Sequence, residues 1–539
     1  MRKFIFITGG VLSGLGKGVV SASVGLLFKM QGYRVSLQKI DPYVNVDAGT
    51  MNPYEHGEVF VTHDGKETDL DIGRYERFLD DRLSASNYLT TGQVYWNVIR
   101  KERAGQYLGQ TVQVIPHVTD EIKRLIHLPL DEANAEIGVI EVGGTVGDIE
   151  SLPFLEALRQ IKDELPRKDT FFAHVTLLPR LSTSDEVKTK PTQHSVKELR
   201  AIGIQPDAII ARCDVPLTES VKRKIALFCD VNIENVIEDP DLPTIYHAPL
   251  TMNENGLGRC ITGRLDIENR TPDLSDWAER MRRIEKPARC VQVGVVGKYV
   301  ELHDSYISIR EALLHAGAIE DTKVEMEWIP SETIVGQDPE PTLGHLDGIV
   351  VPGGFGNRGI EGKIETVEFA RTHNIPYFGL CLGMHCAVIE FARNVLGLRE
   401  ANSFEFDEQT PHPVIALLEE QTRVVQKGGT MRLGAYTTAL REGTFSRAAY
   451  GTATIEERHR HRYEFNPLYR ERLEAAGLRI AGTTTDNQLV EIVELPDHPW
   501  FVGVQFHPEF TSRFLSPHPL FRGFVRSCLE RRASSRSSS

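Results

Sequence analysis

The sequence predicts an α/β protein built from two parallel-sheet domains, and three observations carry that prediction. Short apolar runs alternate with helical patterns through the first half, a highly charged stretch interrupts them, and a second alternating series follows. In the first half, residues 3–8, 35–40, 137–142, 171–178 and 208–211 are short, branched and bounded by breakers, so they read as buried strands. Segments 19–30, 153–162, 192–202 and 220–228 fit helices, and such alternation implies βαβ units on a parallel sheet. The interruption ENRTPDLSDWAERMRRIEKPARC, 268–290, reads as a linker with a helix over 274–284. The second series has strands at 291–296, 324–329, 348–351 and 375–380 and ends near Phe524. The expected domains are therefore 1–267 and 291–528, followed by a tail, 529–539, whose closing RRASSRSSS has the composition of a disordered segment.

A chain of 539 residues is too long for one hydrophobic core. Its net charge of −14 argues against a nucleic-acid binder. Nucleotides stay open, because backbone N–H groups and a few lysines suffice to hold their phosphates. Seven scattered cysteines fit reduced thiols and a cytoplasmic location. The N-terminus, MRKFIFITGGVLSGLGKGVV, starts like a signal peptide, but Gly9-Gly10 break its apolar run and Lys17 sits where cleavage would occur, so export is not expected. Without an uncharged apolar stretch of about 18 residues, neither is a membrane span.

Reactive chemistry is first visible in GLCLG, 379–383. Glycines two before and two after a cysteine let a strand turn sharply into a helix, lifting Cys381 off the end of a sheet. A thiolate there would attack a carbonyl, whereas the bland alternative is a buried, inert thiol. Three features favour the first reading. The glycine turn VPGGFG, 351–356, supplies backbone donors at a strand end, with Gly354 and Leu382 expected to form an oxyanion hole. The apolar strand 501–506 ends in His507-Pro508-Glu509, a base with a carboxylate to orient it. The helix beginning at Gly383 directs its positive end at the thiol. In RHRHRYEF, 458–465, the two histidines lack a third ligand nearby, so no metal is expected there, and Cys386 reads as core.

Together GLCLG, VPGGFG and FHPE resemble the class I glutamine amidotransferases. That resemblance implies that Cys381 attacks the glutamine side-chain amide, forms a glutamyl thioester and frees ammonia, with His507 as base and Glu509 orienting it. It further implies that glutamine is held by Gly354, Leu382, Gly383, Met384, His385, Glu405 and Arg462. For Arg462 a solvated cationic strand is the alternative.

Ammonia needs an activated acceptor. TGGVLSGLGKG, 8–18, follows a strand and precedes a helix, the place of a phosphate-binding loop. It departs from the usual pattern: Val11 replaces the first glycine, and Gly18 stands where a hydroxyl would hold magnesium. Lys17 and the glycines still suit a triphosphate, and Asp71 and Glu141 are the acidic candidates for Mg2+. A second cationic loop, EVKTKPTQ at 186–193, offers Lys188 and Lys190 either to another polyanionic substrate or to solvent.

From here the likeness is closer. KIDPYVNVDAGTMNPYEHGEVFVT (39–62), VGGTVGDIESLPFLEALRQ (142–160) and EVKTKPTQHSVKELRAIGIQPD (186–207) resemble the CTP synthase family, over residues 1–528 once the amidotransferase half is included. The resemblance implies a P-loop-like amidoligase domain fused to a class I glutamine amidotransferase domain. Such an enzyme, a ligase forming C–N bonds, aminates UTP to CTP through a 4-phosphorylated intermediate. ATP would contact Gly14, Leu15, Gly16, Lys17, Gly18, Val19 and Asp71, with Pro240, Asp241 and Leu242 near the adenine. UTP or product CTP would meet Ser13, Asp148, Ile149, Glu150, Lys188, Thr189, Lys190, Pro191, Thr192, Gln193 and Lys224. GTP is implied as allosteric activator, CTP as feedback inhibitor, and a homotetramer, with filaments, as the assembly. The loop at 354–359 with Arg358 is a regulatory candidate, a solvated arginine being the alternative. Competing readings are an amidoligase resembling the cobyrinic acid diamide synthases and a non-catalytic scaffold resembling ParA ATPases. The KTKPTQHSVKEL motif and the intact His-Pro-Glu oppose the first, and the complete set Cys381, His507 and Glu509 opposes the second.

Overall fold

The computed structural model describes residues 2–181, 186–298, 300–417 and 431–537. The chain divides into two compact units, Met1–Asp47 with Arg74–Ala278, and Ala48–Gly73 with Glu279–Ser539.

In the first unit seven strands form one sheet: β1 (Lys3–Gly9), β2 (Val35–Asp41), β3 (Tyr88–Thr90), β4 (Ile137–Val142), β5 (Thr170–Leu177), β6 (Ala208–Cys213) and β7 (Val236–Pro240). Their order is β7-β6-β5-β1-β4-β2-β3 and every pairing is parallel. β1 and β4 are buried along their whole length, which is why they read in sequence as continuous apolar runs rather than alternating ones. Helices α1 (Lys17–Met30) and α2 (Lys190–Ala201) follow strands β1 and β5, so their N-termini lie beyond strand carboxyl ends.

The second unit holds a nine-stranded sheet made of β8 (Arg289–Gly297), β9 (Thr322–Pro330), β10 (Gly348–Val351), β11 (Tyr377–Leu380), β12 (Arg432–Leu440), β13 (Thr454–His461), β14 (Arg479–Thr484), β15 (Val490–Glu494) and β16 (Phe501–Val504), in the order β9-β8-β10-β11-β16-β15-β14-β12-β13. The first five are parallel, as expected. The remaining four run antiparallel, which a wholly parallel expectation misses. The connections explain it. β14 joins β15 and β15 joins β16 through short turns, one of them using Asn487 in a left-handed conformation, and a parallel return needs a longer crossover. Two apolar clusters line the two faces of this sheet, one around Met384 and Val388, the other around Phe378 and Phe524.

Two boundaries differ from expectation. Residues 48–73 belong to the second unit, although they precede most of the first in sequence. The linker carries helix α3 (Ser275–Glu285), close to the expected 274–284, and the helix is anchored: Trp277 is 1% exposed, packs at a tilt against Phe78 and Tyr246, and donates Nε1–H to the Tyr246 carbonyl at 2.7 Å. The tail expected to be disordered from 529 continues helix α5 (Pro519–Ser537). Cys528 is buried in the core, Arg532 pairs with Asp347 at 2.7 Å, and Arg531 donates to the Leu346, His373 and Asn374 carbonyls. Those anchors supply the fixed partners that composition alone does not reveal.

Candidate active site

The thiol sits where strand geometry forces it outward. Cys381 follows β11 and opens helix α4 (Leu382–Asn394) with φ +49° and ψ −99°, a backbone conformation that costs energy for any side chain. Both flanking glycines are needed for room. A Cβ on Gly383 would stand 2.2 Å from the Val351 carbonyl oxygen, and one on Gly379 would stand 2.7 Å from the Gly383 backbone. The corner is pinned by Cys381 N–H donating to Val504 O at 2.7 Å. Only 3% of Cys381 is exposed.

His507 follows β16, its N–H held by the Arg458 carbonyl at 2.7 Å. Its Nδ1 lies 2.7 Å from Glu509 Oε1, and its ring stacks on Phe510. Nε2 makes no hydrogen bond. Burial alone would lower the pKa of His507, but the charges of Glu509 and Cys381 outweigh it and push it up to about 10. His507 is therefore protonated at neutral pH. Gly353 is the spacer: a Cβ there would lie 2.9 Å from the His507 ring and 3.6 Å from the Cys381 Cβ.

These groups face a cavity of about 220 Å3, lined by Gly353, Gly354, Cys381, Arg460, His507 and Glu509, and on another side by Gly49, Thr50, Met51, Glu58 and Val59. Of the residues expected to hold glutamine, Gly354 lines this cavity. Glu405 is beside it, accepting the Gly356 N–H at 2.7 Å, and burial raises its pKa. Arg462 is half-buried at the turn after β13. Leu382, Gly383, Met384 and His385 form the first turn of α4 and are buried; the His385 side chain is engaged by Gln505 and is not among the cavity walls.

Sequence reasoning missed the groups that hold the loop 352–359. Lys298, 4% exposed, donates to the Phe355 and Gly356 carbonyls, and burial lowers its pKa. Lys363, fully buried, donates to Pro352 O at 3.2 Å, and burial pulls its pKa down to about 8. Arg358 reaches the Lys298 carbonyl at 2.9 Å and Glu332 at 2.9 Å. Lone lysines in helix and strand patterns carry no signal for such a role.

In the first unit, the loop before α1 places Val11, Gly14 and Gly16 at φ +81°, +74° and +91°. Gly16 caps α1 without any side-chain bond, leaving the helix's N–H groups available to an anion. Lys17 is 8% exposed and donates to Gly144 O at 2.7 Å. Ser13 and Gly18 flank it in the loop and first turn. The second cationic loop runs into α2: Thr189 precedes it, Gln193 Nε2 donates to Thr189 Oγ1 at 3.0 Å, and Thr192 to Thr176 Oγ1 at 3.1 Å. Lys188 pairs with Glu186, which also feels Lys224, and Lys190 stands 5.9 Å over the Phe228 ring. Asp241, after β7, pairs with Arg212 at 2.8 Å. Asp148 caps the 3-10 turn Ile149–Ser151, and Ile149 is 81% exposed.

A buried histidine missing from the sequence expectations ties the two loops together. His174 on β5 contacts Thr8 Oγ1 at 2.9 Å through Nδ1 and Ser195 Oγ at 2.8 Å through Nε2. Burial, and secondarily Lys17, lowers its pKa to about 3, so it is neutral.

Glu141, 1% exposed, pairs with Lys39 at 3.3 Å and accepts from Tyr75. Asp71 lies in the first turn of the helix Leu70–Leu79 and is 8% exposed. These are hard oxygen donors of the kind Mg2+ takes together with water and phosphate oxygens. They fall in different compact units. Among the described residues there is no group of three or more His, Cys, Asp or Glu that could hold a metal ion.

Comparison with known proteins covers both halves. The CTP synthase N-terminus family model matches residues 3–267 and the glutamine amidotransferase class-I model matches 301–527. A CTP synthase of Carboxydothermus hydrogenoformans is 57% identical over 98% of this chain and 99% of its own length. One of Caldanaerobacter subterraneus subsp. tengcongensis is 55% identical over 98% of each chain. A solved Trypanosoma brucei CTPS glutaminase domain with bound acivicin is 37% identical, covers 44% of this chain and 94% of its own, and superposes with a TM-score of 0.43.

Proposed function

Because the chain belongs to the CTP synthase family, we propose that it aminates UTP to CTP at the expense of ATP, taking nitrogen from glutamine or from free ammonia. One observation carries the reading: a phosphate loop with a buried lysine and a thiol facing a paired histidine and carboxylate occur in one chain.

At the thiol site, Cys381 Sγ attacks the side-chain amide carbon of glutamine, and the N–H groups of Gly354 and Leu382 take up the developing oxyanion. Imidazolium His507 gives its proton to the amide nitrogen as the C–N bond breaks, so that it leaves as neutral ammonia. Neutral His507 then takes a proton from the water that opens the glutamyl thioester, and Glu509 keeps the ring oriented throughout. Glu405 and Arg462 hold the amino and carboxylate groups of the substrate.

At the phosphate loop, Lys17 and the N–H groups of residues 14–19 hold ATP, with 240–242 beside the adenine, while Ser13, residues 188–193 and Lys224 hold the UTP triphosphate. Uracil O4 is a poor leaving group, so it takes the γ-phosphoryl of ATP first; ammonia then attacks C4 and phosphate departs. Asp71 and Glu141 are the residues that would hold Mg2+, which would supply charge neutralisation at the phosphates. Asp148 to Glu150 contribute to recognising CTP as feedback inhibitor, and GTP activates glutamine hydrolysis through the loop carrying Arg358.

The family resemblance suggests a homotetramer, with filaments as a higher assembly, and exposed Trp96, Ile99 and Leu152 in the first unit are apolar side chains available to subunit contacts. Among the described residues no helix is long and apolar enough to cross a membrane, and we place the enzyme in the cytoplasm. The test is CTP formation from UTP and ATP with glutamine or ammonium as nitrogen source. No CTP from either source would overturn the reading.

A further inference from the structure

Gln505 follows β16 and is fully buried, its N–H fixed to the Glu491 carbonyl at 2.8 Å. Its side-chain amide lies between two groups. Oε1 is 2.8 Å from His385 Nε2, and Nε2 is 3.8 Å from Cys381 Sγ. Resting on the assignment of Cys381 as nucleophile, we propose that Gln505 donates to the sulfur and steadies it as thiolate, and that His385 is a positioning residue that fixes which way the amide faces.

Two amide orientations fit those distances, and the sulfur decides between them. A carbonyl against a thiolate would repel it, whereas an NH2 donates to it. With NH2 toward Cys381, Gln505 Oε1 faces His385 and must accept, so His385 carries its proton on Nε2. Its Nδ1 is then bare, consistent with that buried atom having no partner. His385 is held neutral, burial lowering its pKa to about 4, so the tautomer does not change over the working range. α4 makes the contact rigid: His385 N–H donates to the Cys381 carbonyl at 3.2 Å, so the positioning ring and the thiol share one helical turn. The other charges acting on this thiol are His507, with Glu509 behind it, and the buried Lys363.

The experiment uses the full-length enzyme. It measures iodoacetamide modification of Cys381, located by peptide mass spectrometry, against pH, alongside kcat and KM for glutamine hydrolysis. Gln505→Leu removes the donor and should slow modification at neutral pH about tenfold, shift its midpoint upward and lower kcat by a similar factor, with KM within about twofold. His385→Leu should do the same in weaker form. His385→Gln, whose amide reaches the position of Nε2, should restore the wild-type profile. If Gln505→Leu does not fold, the two His385 variants carry the test. A wild-type modification profile in Gln505→Leu or His385→Leu would overturn the proposal. So would a rise in KM with the profile unmoved, because Gln505 would then read substrate rather than sulfur. Loss of glutamine hydrolysis accompanied by an unreactive Cys381 in the wild type would instead sink the assignment of the nucleophile, which separates the two failures.

Discussion

The two ligand-binding regions of the chain are built on opposite principles. The thiol site is a side-chain device: Cys381 on a strained corner, His507 locked by Glu509, and a glycine loop held from beneath by two buried lysines. The phosphate loop is a backbone device, made of left-handed turns and an uncapped helix start, with Lys17 as its one buried cation. A site of the first kind is complete before substrate arrives and fails through single atoms. One of the second kind relies on backbone N–H groups and a single lysine, so no one side chain carries it. The contrast predicts how each will break.

Cys381→Ala should have the largest effect of any single change on one activity. Glutamine-dependent CTP formation should fall about ten-thousandfold or more, while ammonium-dependent formation continues. Loss of both in a folded enzyme would end the division of labour between the two regions. Asp71→Ala and Glu141→Ala should instead lower CTP formation from both nitrogen sources by about a hundredfold or more, since metal charge on phosphate is worth several kcal/mol. Unchanged Mg2+ dependence in either variant would show that the residue is not a ligand.

Glu509→Gln sharpens the electrostatic side of the comparison. The charges of Glu509 and Cys381 together outweigh burial in raising His507, so removing the Glu509 carboxylate lowers that pKa from about 10. The alkaline limb of glutamine hydrolysis should move to lower pH, and kcat should fall roughly a hundredfold as the ring loses its orientation. Stability should follow the same sign. A histidine raised above its ordinary 6.5 stabilises the fold fully below that pH, and the contribution fades as pH rises through about 10. Glu509→Gln should therefore flatten the decline in Tm between neutral and alkaline pH. An alkaline limb that stays in place would mean another group sets it.

Arg358→Ala should give the smallest change. Arg358 is exposed and reaches the Lys298 carbonyl and Glu332 at the surface, so ammonium-dependent synthesis should stay within about twofold. Activation of glutamine-dependent synthesis by GTP should weaken severalfold, and an unaltered GTP titration would remove Arg358 from regulation.

What the sequence disclosed follows the same divide. Cys381, the VPGGFG turn and His507-Pro508-Glu509 were readable because each is a contiguous motif whose residue types have few other reasons to occur together. Gln505 was passed over although it lies two residues before His507 in the same segment after β16. An amide carries no charge to mark it. Lys298 and Lys363 were invisible because their partners are backbone carbonyls, which no side-chain motif marks. The antiparallel half of the second sheet escaped because β12 and β13 alternate exposed and buried residues and so lack the apolar runs of the parallel strands. His174 was missed for a related reason: a lone histidine in an apolar strand looks like core until its two hydroxyl partners are seen.

Residues 48–73 give this architecture a constraint on its ancestry. Arg458, 1% exposed, donates to the Val61 carbonyl at 3.0 Å; Arg460 meets Glu67 at 2.9 Å; and Phe60 packs on Phe510, the neighbour of Glu509. A glutaminase cassette recombined at the linker and starting near Val291 would leave behind Gly49 to Val59, one wall of its own cavity, together with the Val61 carbonyl and Glu67 that Arg458 and Arg460 contact. The halves are thus interlaced in the gene and not merely adjacent. A chimera with a foreign glutaminase keeps function only if the N-terminal strap is exchanged with it.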